Sequence, residues 1–161
     1  MNIFVLSKNT KKCARYHANK HVVKMILESS QILCSVHIIL DNVIAIEGVE
    51  LYKLTHKNHP CVVWARTSSS NYKWLYDLFY ELCEEYTFRY GKIHLCFKKF
   101  KDVLAFVPKN IPDEPLTDFA LAMPDECKDY DDPVESYRNY YKMGKRHLCT
   151  WTKRSIPEWF E

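Results

Sequence analysis

The stretch from Cys13 to Ser35 constrains the fold of this chain more than any other. Its polar residues recur at spacings of three and four, which places them along one side of an α-helix. They are His17, His21, Lys24, Glu28, Gln31 and Ser35. Apolar residues fill most of the other positions, so the pattern predicts a long, largely buried helix over about residues 20–40. The line carries the side-chain groups that proton transfer uses, although a plain amphipathic helix with a narrow wet side remains the alternative.

Helical patterns account for most of the remaining chain. Start and stop signals predict further helices that begin near Thr10, Pro60, Ser70, Lys92 and Pro133. Gly91 ends the helix over residues 70–90, and the next helix is expected to run from residue 92 to 107. Residues 3–6 fit either a strand or a buried arm, and residues 117–122 fit a helical turn. We therefore predict an all-α fold, a compact single-domain helical bundle over residues 1–161 with a long central helix and an irregular, proline-containing C-terminal third.

Composition excludes several classes of protein. With 47% hydrophobic and 27% charged residues, the chain is expected to be globular rather than disordered. No apolar run approaches the length of about 20 residues that spans a bilayer, and no signal peptide is recognisable, so we expect no membrane partner. Seven scattered cysteines favour reduced thiols in the cytoplasm. Three glycines leave little room for a phosphate loop, which argues against kinase, NTPase and Rossmann functions.

Charge is distributed unevenly along the sequence. Residues 1–30 hold six Lys and Arg against one acid, and residues 138–154 hold six against none. Residues 113–135, in contrast, hold nine acids and one lysine. If the two basic segments meet in space, they form a face suited to a phosphate-bearing ligand. A solvated basic surface without a partner is the alternative.

The candidate catalytic residues are Glu28, His21 and Lys24. Burial raises the pKa of a carboxyl group and a nearby cation lowers it, so such a group can be adjusted for proton transfer. An ordinary ion pair between Lys24 and Glu28 is the simpler reading of the same spacing. Cys13, His17 and His21 extend over two helical turns and cannot converge on one ion. No metal site and no cofactor are therefore predicted.

Two further segments combine residues that suit nucleic-acid recognition. The segment NHPCVVWARTSSSNYKW contains His59, Arg66, Asn71 and Tyr72 near helix starts, where free N–H groups can bind anions. The segment YRNYYKMGKRHLCTW alternates aromatic with basic residues and contributes Arg138, Tyr141, Lys145 and Trp151. Aromatic rings can stack on bases while cations hold phosphates. We predict that these residues, with His17, bind DNA or a nucleotide.

These motifs together resemble the phage endonuclease V type of pyrimidine-dimer DNA glycosylases. The shared features are a histidine seven residues before a glutamate on one helix (His21 and Glu28), a proline-led segment before a long middle helix, and an aromatic-basic run, YRNYYKMGK, near the C-terminus. The resemblance implies a small helical fold, with Glu28 as the catalytic carboxylate and His21 beside the lesion pocket. Leu27 stands where the family has arginine. Asn2 stands where the family has a small residue whose amine is the nucleophile, so the free amine is expected on Met1.

The resulting hypothesis is a DNA-repair glycosylase, with or without AP-lyase activity, that acts on damaged pyrimidines in duplex DNA through Glu28. Lys24 is a candidate amine for the lyase step. The rival is a catalytically inactive member of the same fold that binds a nucleotide-like small molecule, for example a host-defence signal if the protein is viral, or a partner protein. A purely structural helical protein is a third alternative.

Overall fold

The computed structural model describes residues 1–161 and is mostly helical. The helices are α1 (Thr10–Tyr16), α2 (Asn19–Asp41), α3 (Pro60–Thr67), α4 (Ser69–Tyr90), α5 (Leu95–Phe100) and α6 (Pro133–Tyr140). The only strands, β1 (Ala45–Ile46) and β2 (Val49–Glu50), form a small antiparallel hairpin between α2 and α3. A π-helical turn, Tyr141–Lys145, follows α6 directly, and short 3-10 turns occur at Asp125–Cys127, Arg146–Leu148 and Glu158–Phe160. The predicted all-α fold class with a long central helix is confirmed.

The helix ends follow the local signals in the sequence. The Asn9 side chain accepts the N–H of Lys12 at the start of α1, and the Ser68 hydroxyl accepts the N–H of Asn71 at the start of α4. Pro60 occupies the first turn of α3, as a residue without an N–H donor can. Gly91 ends α4 with a φ of 65°, in the left-handed region that glycine adopts without strain.

Two segments differ from the sequence-based expectation. The helix expected over residues 92–107 is only the short α5, and residues 101–105 form turns that are bound by side chains of α4. Tyr76 donates to the carbonyl of Lys101 at 2.5 Å, and Tyr72 donates to that of Leu104 at 2.7 Å. Residues 117–122 contain no helix either; the N–H of Thr117 is bound by the Asn71 side chain instead.

The core joins both ends of the chain. One cluster of buried apolar side chains extends from Ile3 to Phe160, with α2 packed against α4 at its centre. Residues 3–6 form a buried arm rather than a strand. Helix α2 is long and apolar enough to cross a membrane, with a mean hydropathy of 1.5 in its most apolar window, but 67% of that window is buried within the chain. That is the situation of a core helix.

The break between α1 and α2 is held by a buried arginine from α4. Arg89 donates to the carbonyls of Arg15 and His17, at 3.0 and 2.9 Å, and to the Asn19 side chain at 3.0 Å. Its charge is balanced by Glu85 at 2.8 Å. His17 therefore lies in the junction and not on α2, since residues 17 and 18 both have extended backbone conformations. All seven cysteines are free thiols.

Candidate active site

Glu28 lies midway along α2 and is only 8% exposed. Its Oε1 atom is 3.6 Å from the α-amino nitrogen of Met1, and its Oε2 atom accepts the N–H of Asn2 at 3.1 Å. The Nζ atom of Lys24, one turn earlier on the helix, is 3.8 Å from Oε1. The expected Lys24–Glu28 ion pair is thus present, but the carboxylate also holds the first residue of the chain. Two amines and one carboxylate therefore meet at this point.

The C-terminal third of the chain helps to position Met1. The side-chain amide of Asn2 donates to the carbonyl of Ala122 at 2.8 Å, and the Tyr137 hydroxyl is 3.4 Å from the Asn2 oxygen. The following residues are buried as an arm beneath α2 and α6. Because residue 2 is anchored on both sides, the amine of Met1 has a defined direction toward Glu28.

A cavity of about 130 Å³ opens over this carboxylate. Its walls come from the N-terminal arm, α2, the end of α6 and the turn after it; they comprise Met1, Asn2, Phe4, His21, Lys24, Met25, Glu28, Tyr140 and Lys145. The cavity contains three amines and a single acid, so its net charge favours an anionic or electron-rich substrate group. The two basic segments of the sequence do meet here, in Lys24 and Lys145. They also meet at a second cavity, where Lys11, Arg15 and Arg154 are balanced by three glutamates of α4, Glu81, Glu84 and Glu85.

His21 is held on two sides within the cavity wall. Its ring stacks on Phe4, with centroids 4.4 Å apart and planes 14° from parallel, and its Nδ1 atom is 2.6 Å from the Tyr141 hydroxyl. Burial, with smaller contributions from the nearby His17, Lys145 and Lys24, lowers the pKa of His21 to about 3. The imidazole is therefore neutral at physiological pH. A role for His21 as a cationic acid does not fit this environment.

His59 lies next to the same group of charges. Burial lowers its pKa, and the α-ammonium group of Met1 and the nearby His56 act in the same direction, whereas Glu28 opposes them. Its Nδ1 atom accepts the N–H of Cys61 at 3.1 Å and so caps α3. Arg66, which the same sequence motif contributes, instead turns back on its own loop and donates to the carbonyl of Lys57 at 2.6 Å.

Four of the predicted binding residues are fully buried in the structure, which leaves them no surface for contact with DNA. These are His17, Asn71, Tyr72 and Tyr141. Asn71 binds the carbonyl of Trp64 and the backbone of Thr117, and Tyr72 bridges His37 and Leu104. Tyr141 likewise binds the N–H of Ala18 and the ring of His21, and His17 binds the carbonyl of Cys13 through Nδ1 while its buried Nε2 has no partner.

The remaining two predicted residues lie apart from the cavity over Glu28. Arg138 donates to the carbonyl of Leu6 at 3.1 Å and lies over the rings of Tyr16 and Trp159. Trp151 is partly buried, and its indole N–H donates to the carbonyl of Tyr16 at 2.9 Å. Arg138 thus ties α6 to the N-terminal arm and α1, and Trp151 ties the C-terminal segment to α1.

Sequence reasoning did not include Asn2, Phe4 or Tyr140 among the site residues. Tyr140 lines the cavity where Tyr141 was predicted to act, because successive residues of a helix point in different directions. The aromatic-basic motif signalled a tyrosine at this place but could not decide which one. Asn2 was noted as a departure from the family pattern, and that departure marks the residue that anchors the arm.

A larger cavity, of about 440 Å³, lies at the other end of α2 between the β-hairpin and Phe106. Two acids, Asp41 and Glu47, and one amine, Lys109, line it. The Asp41 carboxylate is already engaged, since it accepts the backbone N–H groups of Lys109 and Asn110 at 2.7 and 2.9 Å. Lys109 forms no ion pair with either acid, whereas Met1 and Lys24 both pair with Glu28. The cavity over Glu28 is therefore the better candidate for chemistry.

Comparison with known proteins supplies one match. The family model described as pyrimidine dimer DNA glycosylase matches residues 1–98, which include Met1, His21, Lys24, Glu28 and His59. The match ends before α6 and the segment that contributes Tyr140 and Lys145. No curated protein matches the chain. No solved structure matches it either.

Proposed function

The chain belongs to the pyrimidine dimer DNA glycosylase family, and we propose that it removes damaged pyrimidines from duplex DNA with Glu28 and the α-amino group of Met1 as its catalytic groups. Family membership supports DNA repair as the function and DNA as the partner. The observation that carries the finer proposal is the distance of 3.6 Å between the Met1 nitrogen and Glu28 Oε1. An amine beside a carboxylate in a small cavity is an arrangement suited to imine chemistry on a sugar.

The proposed reaction begins with attack of the amine on C1′ of the deoxyribose. A bond forms between nitrogen and C1′, the glycosidic bond breaks, and its electron pair leaves with the base, which takes up a proton. Glu28 takes the proton that the ammonium group must lose and stabilises the positive charge that develops on the sugar. The sugar ring then opens: the C1′–O4′ bond breaks, a proton passes from nitrogen to O4′, and nitrogen and C1′ become joined by the double bond of a protonated imine. The imine allows loss of a C2′ proton and departure of the 3′ phosphate, which is the lyase step.

Met1 fits the role of nucleophile better than Lys24. The Met1 side chain is 2% exposed and its residue is held through Asn2, whereas the Lys24 side chain is 67% exposed and free to move in water. A fixed amine begins closer to the attacking geometry than a mobile one. We assign Lys24, with Lys145, to contact with the DNA backbone.

The size of the cavity favours chemistry on a sugar over storage of a free nucleotide. At about 130 Å³ it is smaller than the roughly 300 Å³ at which pockets for small-molecule ligands begin. It can admit the reacting part of an extruded nucleotide, with Tyr140 at its wall as a stacking surface for a base. If the protein instead bound a free nucleotide, it would bind that nucleotide tightly and cleave no DNA.

The test is incubation of the protein with ultraviolet-irradiated, abasic and undamaged duplexes, with and without borohydride. Intact mass first establishes whether the purified chain begins at Met1. We expect strand cleavage of the irradiated and abasic duplexes, a trapped covalent adduct, and peptide mapping that places the adduct on Met1. Lys24→Arg is the matched control, because it keeps the cation and removes the primary amine; it should still be trapped.

Distinct results contradict distinct parts of the proposal. An adduct mapped to Lys24, or lost in Lys24→Arg, would refute Met1 as the nucleophile. Cleavage without any trapped adduct would refute the imine mechanism and keep the glycosylase. Absence of cleavage, with no affinity for duplex DNA and tight binding of a free nucleotide, would replace the enzyme with the small-molecule binder.

A further inference from the structure

We infer that Tyr141 is a positioning residue that fixes the tautomer of His21, so that His21 presents a neutral Nε2–H donor to an acceptor oxygen of the DNA substrate. The inference rests on the proposed function only for the identity of the substrate. The aromatic-basic motif predicted Tyr141 as a DNA contact, whereas the structure buries its side chain completely behind His21.

The direction of the Tyr141–His21 hydrogen bond follows from the third group that shares it. The N–H of Ala18 donates to the Tyr141 oxygen at 3.3 Å, so that oxygen already acts as an acceptor. If Nδ1–H of His21 also donated to it, the hydroxyl proton would have no acceptor in a fully buried position, which is costly. The arrangement that uses every proton has Tyr141 donating to Nδ1 of His21. A neutral imidazole then carries its single proton on Nε2.

The His21 ring cannot easily turn to exchange its two nitrogens. It stacks on Phe4 at 4.4 Å, and Phe4 in turn packs edge-on against Tyr141 with centroids 5.4 Å apart. Nδ1 faces Tyr141. Nε2 has no hydrogen-bond partner in the protein and is not enclosed, and His21 lines the cavity over Glu28. The free N–H therefore points to where the substrate enters.

The charges that face His21 keep this donor neutral. The charged groups are Lys24 and Glu28 on α2, the amine of Met1 on the N-terminal arm, and Lys145 after α6. The neutral ring of His17 faces His21 from the α1–α2 junction. Cations outnumber the one carboxylate, so a proton added to the ring would be repelled. Burial also raises the pKa of Tyr141 well above its ordinary value, so the hydroxyl keeps the proton that it donates. His21 can thus hold an oxygen without exchanging protons with it.

The first measurement needs no DNA. Long-range proton–nitrogen NMR spectra of the imidazoles distinguish the two neutral tautomers, and the His21 signals are identified by their loss in His21→Gln. We expect wild-type His21 to be in the Nε2–H form between pH 5.5 and 8, and Tyr141→Phe to show a mixture of both tautomers. Tyr52→Phe, which removes the hydroxyl of a tyrosine that contacts Cys96, is the matched control and should not change the His21 signals.

The second measurement is the single-turnover rate on abasic duplex. We expect Tyr141→Phe to lower the rate about tenfold at saturating DNA, equivalent to the loss of one transition-state hydrogen bond, with little change in affinity. His21→Gln, whose amide N–H reaches about as far as Nε2, should retain more activity than His21→Leu. Tyr52→Phe should react at the wild-type rate. Thermal unfolding of each variant confirms that it is folded.

The two measurements separate this inference from the proposed function. A wild-type His21 with its proton on Nδ1 would overturn the inference whether or not the protein cleaves DNA. A Tyr141→Phe variant that is folded, with mixed tautomers and the wild-type rate, would overturn the positioning role alone. If the protein cleaves no DNA but His21 has the expected tautomer, the proposed function fails and the His21–Tyr141 arrangement stands.

Discussion

At the scale of single residues, Glu28 carries the proposed reaction because its carboxylate is the only acid among the amines of its cavity. We predict that Glu28→Gln lowers cleavage of abasic duplex by at least about 100-fold, since the amide can neither take a proton nor stabilise positive charge. Duplex affinity, measured by fluorescence anisotropy, should be unchanged or slightly higher, because one negative charge is removed. The exposed Glu50→Gln is the matched control. Cleavage at the wild-type rate by Glu28→Gln would remove this carboxylate from the mechanism.

The lowered pKa values of the buried histidines lead to a second prediction, which concerns how the stability of the fold depends on pH. Burial lowers the pKa of His17 to about 4 and that of His21 to about 3, against about 6.5 in an unfolded chain. As the pH falls below about 6.5, the unfolded state takes up protons that the folded state refuses. The free energy of unfolding should therefore fall with decreasing pH between about 6.5 and 4, by up to about 1.4 kcal/mol per pH unit for each ring.

Urea denaturation at pH 7.5, 6.5 and 5.5 checks this dependence. The His21→Gln variant should show a shallower decline than the wild type, because one ring with a lowered pKa is gone; His37, His59 and His94, whose pKa values burial also lowers, contribute equally to both proteins. The exposed His147→Gln should decline as the wild type does. Stability that is equal at the three pH values would show that the two rings are not protected from protonation.

At the scale of elements, the break between α1 and α2 decides where His21 and Glu28 point. Arg89 crosses from α4 to hold this break through the carbonyls of Arg15 and His17. We predict that Arg89→Met, which keeps much of the buried side-chain volume, lowers the free energy of unfolding by about 3 kcal/mol, because the carbonyls lose their donor inside the protein. Arg154 remains paired with Glu85 at 2.9 Å, so the acid is not left alone.

Urea denaturation followed by circular dichroism measures this loss. Lys73→Met on the exposed face of α4 is the matched control, and we expect it to change stability by less than about 0.5 kcal/mol. An Arg89→Met variant as stable as the control would show that the junction holds without this arginine.

At the scale of the whole molecule, the core links the first residues of the chain to the last. Buried side chains from the N-terminal arm, all six helices and the tail belong to one cluster. We propose that residues 1–161 form a single domain and predict one cooperative unfolding transition, with coincident curves from tryptophan fluorescence and circular dichroism. Trp64 and Trp159 report on distant parts of the chain. Two separated transitions would divide the chain into independently folding units.

Much of the architecture could be predicted from the sequence because it depends on neighbouring residues. Helix starts at Asn9, Pro60 and Ser68 and the stop at Gly91 follow from hydrogen bonds and backbone preferences within a few residues. The spacing of His21 and Glu28 on one helix also carried the resemblance to the glycosylase family, which the family match confirmed. The helix expected after Gly91 was too long; the turns that follow Phe100 are held by Tyr72 and Tyr76 of α4, contacts that local sequence patterns do not record.

The site itself depends on contacts between residues far apart in the sequence. The amine of Met1 lies against Glu28, the side chain of Asn2 is bound to Ala122, and His21 is hydrogen-bonded to Tyr141. Periodicity records which residues share a face of one helix, but not which face of another element covers it. Chain sequence alone therefore determined the helices and the family, while tertiary packing decided which tyrosine is buried and which amine faces the carboxylate.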